Sequence, residues 1–181
     1  MGGEKMIIGE VSANFQDSVE KTIPYIDLFI SWVERIPNIK SVRKADLADD
    51  YKGIDYVLTD KSGKELKCQL KIEFKTDETR NIPIETISQA YPHKNSKIGA
   101  EFGYEEVDYI FYFLAFSGRV LMFKVSELLE YAINPENFKR FKQRSTKNEN
   151  NGNVYHTLYF LVPLVDIKHL IKYERTVKSI K

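Results

Sequence analysis

The most regular pattern of apolar and polar positions lies in residues 53–75, where two alternating segments flank a turn. Successive side chains of a strand point to opposite faces, so the alternation predicts two strands that each have an apolar and a polar face. On the first strand the apolar face is Ile54, Tyr56 and Leu58, and the other face is Asp55, Val57 and Thr59. On the second strand the apolar residues Leu66, Cys68, Leu70, Ile72 and Phe74 alternate with Lys67, Gln69, Lys71, Glu73 and Lys75.

The turn predicts the register of this hairpin. Residues 60–64 (DKSGK) suit a three-residue loop whose glycine adopts the left-handed conformation. Pairing the two ends of that segment places Asp55 opposite Gln69 and leaves Lys71 on the diagonal, and it puts both apolar sets on one face. A two-residue turn would shift the pairing by one residue and mix the faces. A carboxylate, an amide and an ammonium group are therefore expected within about 5 to 8 Å on one polar patch.

The rest of the chain predicts an α/β arrangement. Apolar residues at steps of three and four predict a helix over residues 15–33, which begins near Asp17 with a kink at Pro24 or, alternatively, near Ile23. The continuous apolar run 107–116 is typical of a central strand covered on both faces. The other predicted elements are strands at 39–45, 82–87, 119–125 and 155–162, helices at 126–132, 136–144 and 163–172, and polar loops at 88–106 and 145–153. We expect one domain, residues 1–181, with a mixed sheet flanked by helices.

Composition narrows the setting. The net charge of +1 provides no overall basic field, so a polyanionic partner would need a local patch. A single cysteine excludes an internal disulfide framework and predicts a reducing, cytoplasmic location. No segment approaches the ~20 apolar residues of a membrane span, and the N-terminus lacks the apolar core of a signal peptide, so we expect no membrane association.

The hairpin carries a recognisable motif. Gly53-Ile54-Asp55 followed by Gln69-Leu70-Lys71 resembles the PD-(D/E)XK nuclease superfamily, in which an acid begins one strand of a hairpin and an acid-or-amide, any residue, lysine triplet lies on the next. The segment TRNIPIE at 79–85, the pair Ile98-Gly99, and Val107-Asp108-Tyr109 before a strand look like phage and mobile-element members of that superfamily. The resemblance covers roughly residues 17–125. It implies a restriction endonuclease-like αβββαβ core and Mg²⁺-dependent hydrolysis of DNA, with Mn²⁺ as a substitute and a homodimer as one way to cut both strands.

The resemblance also implies roles for individual residues. Asp55 would be the main metal ligand, with further oxygens from Gln69 and from the backbone carbonyl of Leu70. Lys71 would orient or help to deprotonate the attacking water and face the developing charge. Glu20 would be the glutamate that the first helix often supplies, acting through a metal-bound water. Gln69 stands where the superfamily usually has glutamate and brings no charge, so Mg²⁺ should bind more weakly.

A second triplet, Glu73-Phe74-Lys75, matches the superfamily letter for letter and is an alternative site. The hairpin register leaves Glu73 opposite Tyr51 and away from Asp55. Glu85, which follows the hairpin, could hold Lys71 or a second cation.

Other positions bear on the partner. Contacts to the DNA backbone are expected from Arg80, His93, Lys94 and Lys97. A basic run over residues 139–147 is either a solvated helix face or a surface that tracks phosphates. Two functions besides nuclease remain open: a catalytically inactive nuclease-like protein that binds nucleic acid, and a non-enzymatic interaction protein whose polar hairpin face is ordinary surface.

Overall fold

The computed structural model describes residues 13–50, 52–90, 97–98, 106–150 and 153–177. Its helices are α1 (Phe15–Val33), α2 (Leu47–Asp50), α3 (Thr76–Thr79), α4 (Val125–Ile133), α5 (Pro135–Phe138) and α6 (Leu164–Ile167), the last followed by a 3-10 turn at Lys168–Leu170. Its strands are β1 (Ala13–Asn14), β2 (Ile39–Lys44), β3 (Tyr56–Asp60), β4 (Glu65–Glu73), β5 (Asn81–Ala90), β6 (Lys97–Ile98), β7 (Tyr109–Leu114), β8 (Arg119–Lys124), β9 (Lys142–Asn150), β10 (Asn153–Pro163) and β11 (Ile171–Thr176).

The larger sheet has six strands in the order β11-β8-β7-β4-β3-β2. Strands β4 and β7 run parallel, and every other neighbouring pair in this sheet is antiparallel. The predicted α/β class with a mixed sheet is therefore confirmed. Because β4 and β7 are parallel, the chain between them must cross over, and in the described residues it passes through α3, β5 and β6.

Both faces of the larger sheet are covered, as the apolar run of β7 predicts. Phe111 and Phe113 point toward α1, where the ring of Phe29 lies 5.1 Å from that of Phe111. The alternate residues of β7, with Ile110 and Tyr112 among them, point into a second cluster formed with α4 and the smaller sheet. Helix α1 covers the whole predicted span with Pro24 inside it, so the earlier of its two predicted starts is confirmed.

A second sheet of five strands, in the order β1-β9-β10-β5-β6, was not predicted. The helix expected at 136–144 is present only as the short α5, which ends at Phe138. The loop expected at 145–153 is wrong, since β9 pairs residue by residue with β10. Strand β9 contains no large apolar side chain, so it shows no alternation for a pattern to detect. Its conformation depends on pairing with β10. The expected loop at 88–106 likewise includes the end of β5 and strand β6.

The C-terminal helix predicted at 163–172 is confirmed only over residues 164–170, as α6 and the 3-10 turn. From Ile171 the prediction is wrong, because β11 pairs with β8 at the edge of the larger sheet. Tyr173 packs against Trp32 of α1, with ring centroids 5.7 Å apart. This contact with a distant helix, together with the pairing to β8, holds the segment extended.

The hairpin register is confirmed. Tyr56 pairs with Cys68, the Asp60 N–H donates to the Lys64 carbonyl at 3.0 Å, and Gly63 has a φ of 88°. One residue departs from the predicted faces: Ile54 is buried in the cluster on the opposite side, because it precedes β3 and strand alternation does not apply to it. The predicted polar face is also covered in part by the smaller sheet.

We expect Phe111→Ala to lower the free energy of unfolding by about 3 to 5 kcal/mol, because Phe111 is 1% exposed and its truncation leaves a cavity between α1 and the larger sheet. Phe116→Ala is the matched control, since Phe116 is 71% exposed and should change stability by less than about 0.5 kcal/mol. Urea unfolding followed by circular dichroism measures both. Similar losses in the two variants would contradict the described core.

Candidate functional site

The pairing between β3 and β4 ends beside Asp55. The last paired residues at the end of the hairpin away from the turn are Tyr56 and Cys68. Beyond them the Leu70 N–H donates to the Asp55 carboxylate at 2.8 Å. The Asp55 N–H donates in turn to the Cys68 carbonyl at 2.9 Å. The N–H and C=O of a strand residue point to the same side, so the Leu70 carbonyl also points toward β3. A carboxylate and a backbone carbonyl therefore lie on the same side of β4, with Gln69 opposite Asp55 in the register.

A tight turn brings a second acid to this place. Asp46 accepts a hydrogen bond from the Asp49 N–H at 2.9 Å, which caps α2. Gly53 has a φ of 76°, a conformation that favours glycine, and its N–H donates to the Asp50 carbonyl at 2.9 Å. The chain thereby folds back so that Asp50 lies near Asp55. Asp50 was missed from the sequence, although the acid-rich stretch before Gly53 was a signal.

Burial raises the pKa of Asp55 to about 6. The Leu70 N–H opposes this rise by stabilising the carboxylate, whereas the negative charge of Asp50 raises the pKa further. Lys71 and Lys44 lower the pKa by smaller amounts. The two lysines therefore compensate the Asp55 charge only in part, and the site favours an additional positive charge.

A cavity of about 270 Å³ adjoins Asp55. It is lined by Thr22, Ile26, Lys44, Asp50, Asp55, Tyr56, Leu70 and Ile72. Helix α1 thus contributes a threonine and an isoleucine to this cavity. Glu20 is exposed and is not among the lining residues, so the described structure does not bring it to Asp55.

Lys71 lies between the two sheets. Its side chain is 11% exposed, and its Nζ is 3.3 Å from Glu85 Oε1 on β5 of the smaller sheet. The expected partnership of Glu85 with Lys71 is therefore present. Because Lys71 also lowers the pKa of Asp55, its positive charge acts on both carboxylates.

A larger cavity of about 740 Å³ adjoins the first and shares Thr22 and Ile72 with it. The alternative-site residues Glu73, Lys75 and Glu85 all line this larger cavity. The two candidate sites are thus neighbours in one region. Tyr51, the expected partner of Glu73, lies outside the described residues.

The expected DNA contacts are only partly described. Arg80 is exposed at the end of α3 with a φ of 56°, and it lines a different cavity, beside Leu114 and Pro163. The backbone of Lys97 belongs to β6, whereas its side chain, His93 and Lys94 lie outside the described part of the chain. The basic run at 139–147 begins directly after α5 and continues into β9, so it is not one helical face.

The donor set around Asp55 suits a hard cation. The carboxylates of Asp55 and Asp50 and the Leu70 carbonyl are oxygen donors, which Mg²⁺ prefers, and continuing the register places Gln69 opposite Asp55. Within the described ranges, no group of three His, Cys, Asp or Glu side chains is arranged to hold a metal ion. A cation here would therefore depend on amide and backbone oxygens as well as carboxylates.

Cys68 is buried, which raises the pKa of its thiol, so it behaves as a core residue.

Comparisons with known proteins do not identify a family. No family model matches the chain, and neither a search of curated proteins nor a search of solved structures found a significant match. In the part of the chain that is described, no helix has the length and apolar character needed to cross a lipid bilayer.

We expect Asp55→Asn to stabilise the metal-free protein at neutral pH. The raised pKa means that the folded state holds more protons than the unfolded state between about pH 4 and pH 6, so the free energy of unfolding falls as pH rises through this window. Up to about 3 kcal/mol of stability is lost in this way. Asparagine carries no charge and keeps an acceptor for the Leu70 N–H. The variant should therefore match the wild type below pH 4 and exceed it at pH 7.5 in urea unfolding with EDTA.

Asp60→Asn is the matched control and should have the opposite effect. The Ser62 hydroxyl and the Lys64 N–H lower the pKa of Asp60, so its contribution to stability is present at neutral pH and is lost on acidification. Asp60→Asn should lower stability at pH 7.5. If Asp55→Asn also lowers the stability at pH 7.5, the conclusion that Asp55 carries a half-buried, incompletely compensated charge is wrong.

Proposed function

We propose that the protein is a metal-dependent endonuclease that hydrolyses DNA phosphodiester bonds, with a site of the PD-(D/E)XK type. The observation that carries the proposal is the opening of the hairpin, where the Asp55 carboxylate, the Leu70 backbone and the charge of Lys71 meet beside a cavity. The order of α1, β2, β3 and β4, followed by β7 parallel to β4, is consistent with a restriction endonuclease-like core.

Asp55, Gln69 and the Leu70 carbonyl would hold Mg²⁺, with Asp50 close enough to add its charge. When bound, the cation would neutralise charge on the phosphate and sharpen a water nucleophile. Metal binding requires the ionised form of Asp55, so affinity for Mg²⁺ should fall as the pH drops below about 6. Burial and the nearby Asp50 disfavour the uncompensated carboxylate, and a cation would relieve both effects.

Lys71 would act on the phosphate with its ammonium group. Glu85 holds Nζ from the smaller sheet, so the lysine is positioned before substrate binds. A preorganised cation of this kind stabilises the negative charge that develops on the phosphoryl oxygens. Glu85 is in this sense a positioning residue. The described part of the chain has one such site, so cutting both strands would require a homodimer or two separate encounters.

A second candidate function is DNA binding without cleavage. It is favoured by Gln69, which replaces the usual glutamate, and by the lack of a three-carboxylate group among the described residues. Metal affinity distinguishes the two candidates, because a protein that only binds DNA has no need of Mg²⁺ at Asp55.

We expect Asp55→Asn and Lys71→Met each to reduce Mg²⁺-dependent DNA cleavage by at least about 100-fold, the lower end of the contribution of a positioned catalytic group. Lys71→Met removes the cation that pairs with Glu85 and could therefore destabilise the fold. The double variant Lys71→Met/Glu85→Gln also removes the Glu85 charge, so loss of cleavage in a folded double variant reports the loss of the Lys71 ammonium group itself. Lys61→Met, in the exposed hairpin turn, is the control and should cut like the wild type. Plasmid, single-stranded and branched DNA are the substrates.

Gln69→Glu should tighten binding of Mn²⁺, measured by calorimetry, and lower the Mg²⁺ concentration needed for half-maximal cutting, because it adds a carboxylate to the ligand set. Cutting that survives both Asp55→Asn and Lys71→Met would overturn the proposal. DNA binding with neither cutting nor metal affinity would favour the second candidate.

A further inference from the structure

The smaller sheet presents a polar wall to the 740 Å³ cavity. Thr146 and Asn148 of β9 and Thr157 and Tyr159 of β10 line it, and Thr146 pairs with Thr157 in the register. The volume lies within the range of about 300 to 1,000 Å³ that is usual for ligand pockets. The proposed metal site uses none of these side chains, so the wall needs another explanation.

After the hydrogen bonds within the smaller sheet are made, the Asn148 amide oxygen can still accept and the Tyr159 hydroxyl can still donate a hydrogen bond toward the cavity. The Asn148 amide nitrogen donates to the Thr146 carbonyl at 3.3 Å and to the Thr157 hydroxyl at 2.9 Å, which uses both of its protons. Its amide oxygen, to which no other described residue donates, remains an acceptor. The Thr146 hydroxyl donates to the Tyr159 oxygen at 3.3 Å, so the Tyr159 hydroxyl proton can be donated elsewhere.

Charged side chains also line the cavity. Lys21 of α1 and Lys75 after β4 are exposed, and the carboxylates of Glu73 and Glu85 belong to the same lining. Thr76, 2% exposed, lies beside Lys75, and its hydroxyl has no hydrogen-bond partner within the described ranges. The cavity therefore combines two exposed lysines and two carboxylates, of which Glu85 is paired with Lys71, with a fixed donor, a fixed acceptor and the aromatic ring of Tyr159.

The position of the cavity relates it to the metal site. It shares Thr22 and Ile72 with the cavity beside Asp55, and Glu85, which holds Lys71, lines it. If a nucleic-acid strand bound with one phosphate beside Asp55, the nucleotide adjacent to that phosphate would lie at this cavity.

We infer that the cavity binds one unpaired nucleotide of single-stranded DNA next to the phosphodiester bond that is cut. The base stacks on the ring of Tyr159, and its Watson–Crick edge donates to the Asn148 amide oxygen. The Tyr159 hydroxyl, which lies in the plane of its ring, donates to a sugar oxygen of the same nucleotide. The phosphate lies toward Lys21 and Lys75. A base that stays paired in a duplex cannot present this edge or enter a concave site, so the substrate class is DNA with an unpaired nucleotide. This inference rests on the proposed function.

Fluorescence anisotropy with a labelled single-stranded oligonucleotide, in EDTA to prevent cutting, tests the inference. We expect Tyr159→Ala to weaken binding by about 5- to 150-fold, the range for loss of one base-stacking ring, and Tyr159→Phe by about 5-fold through loss of one hydrogen bond. Tyr173→Phe, in β11 against Trp32 and outside the lining of this cavity, and Lys61→Ala, in the hairpin turn, should bind like the wild type, whereas Lys21→Ala should weaken binding. A matched duplex should compete poorly.

Wild-type affinity in Tyr159→Ala, or equal competition by the duplex, would overturn the inference. Cleavage assays keep it separate from the proposed function. If the wild type cuts and Tyr159→Ala cuts with unchanged KM, the nucleotide pocket is wrong and the nuclease stands. If the wild type binds single-stranded DNA through Tyr159 but never cuts, the pocket stands and the nuclease is wrong.

Discussion

The hydrogen bond from the Leu70 N–H to the Asp55 carboxylate is the contact on which the candidate site depends. It places a side-chain oxygen where the hairpin ladder ends and fixes a carboxylate at that point. The backbone donor stabilises the charge, but burial and Asp50 act more strongly in the other direction, and the pKa of Asp55 rises to about 6. The fold therefore tolerates a destabilising group at this position. A local loss of stability of this kind is common at functional sites, where a bound ligand offsets it.

The smaller sheet completes the site that the hairpin begins. Lys71 of β4 meets Glu85 of β5, so this ion pair joins the two sheets. Buried ion pairs contribute little net stability, because desolvation opposes the attraction between the charges. The pair is therefore better explained by the position it gives to the ammonium group than by stability. The same sheet also supplies the polar wall of the larger cavity.

The sequence predicted those parts of the structure that local chemistry determines. The hairpin register follows from the turn glycine and the alternation, and β7 follows from its apolar run. Strand β9 could not be found, because its residues are polar on both faces and its extended conformation depends on pairing with β1 and β10. Asp50 was missed for a related reason, since its approach to Asp55 depends on the backbone conformation of Gly53. Ile54 departs from the strand pattern because the strand starts two residues later.

The distribution of charge connects the two cavities. The chain has a net charge of only +1, yet the region beside Asp55 carries incompletely compensated negative charge while Lys21 and Lys75 line the adjacent cavity. Under the proposed function, a phosphodiester chain carried in with a divalent cation would suit both regions at once, because the cation would meet Asp50 and Asp55 and the next phosphate would meet the lysines. Binding of metal and nucleic acid should then be mutually reinforcing, with local charge separation in place of an overall basic surface.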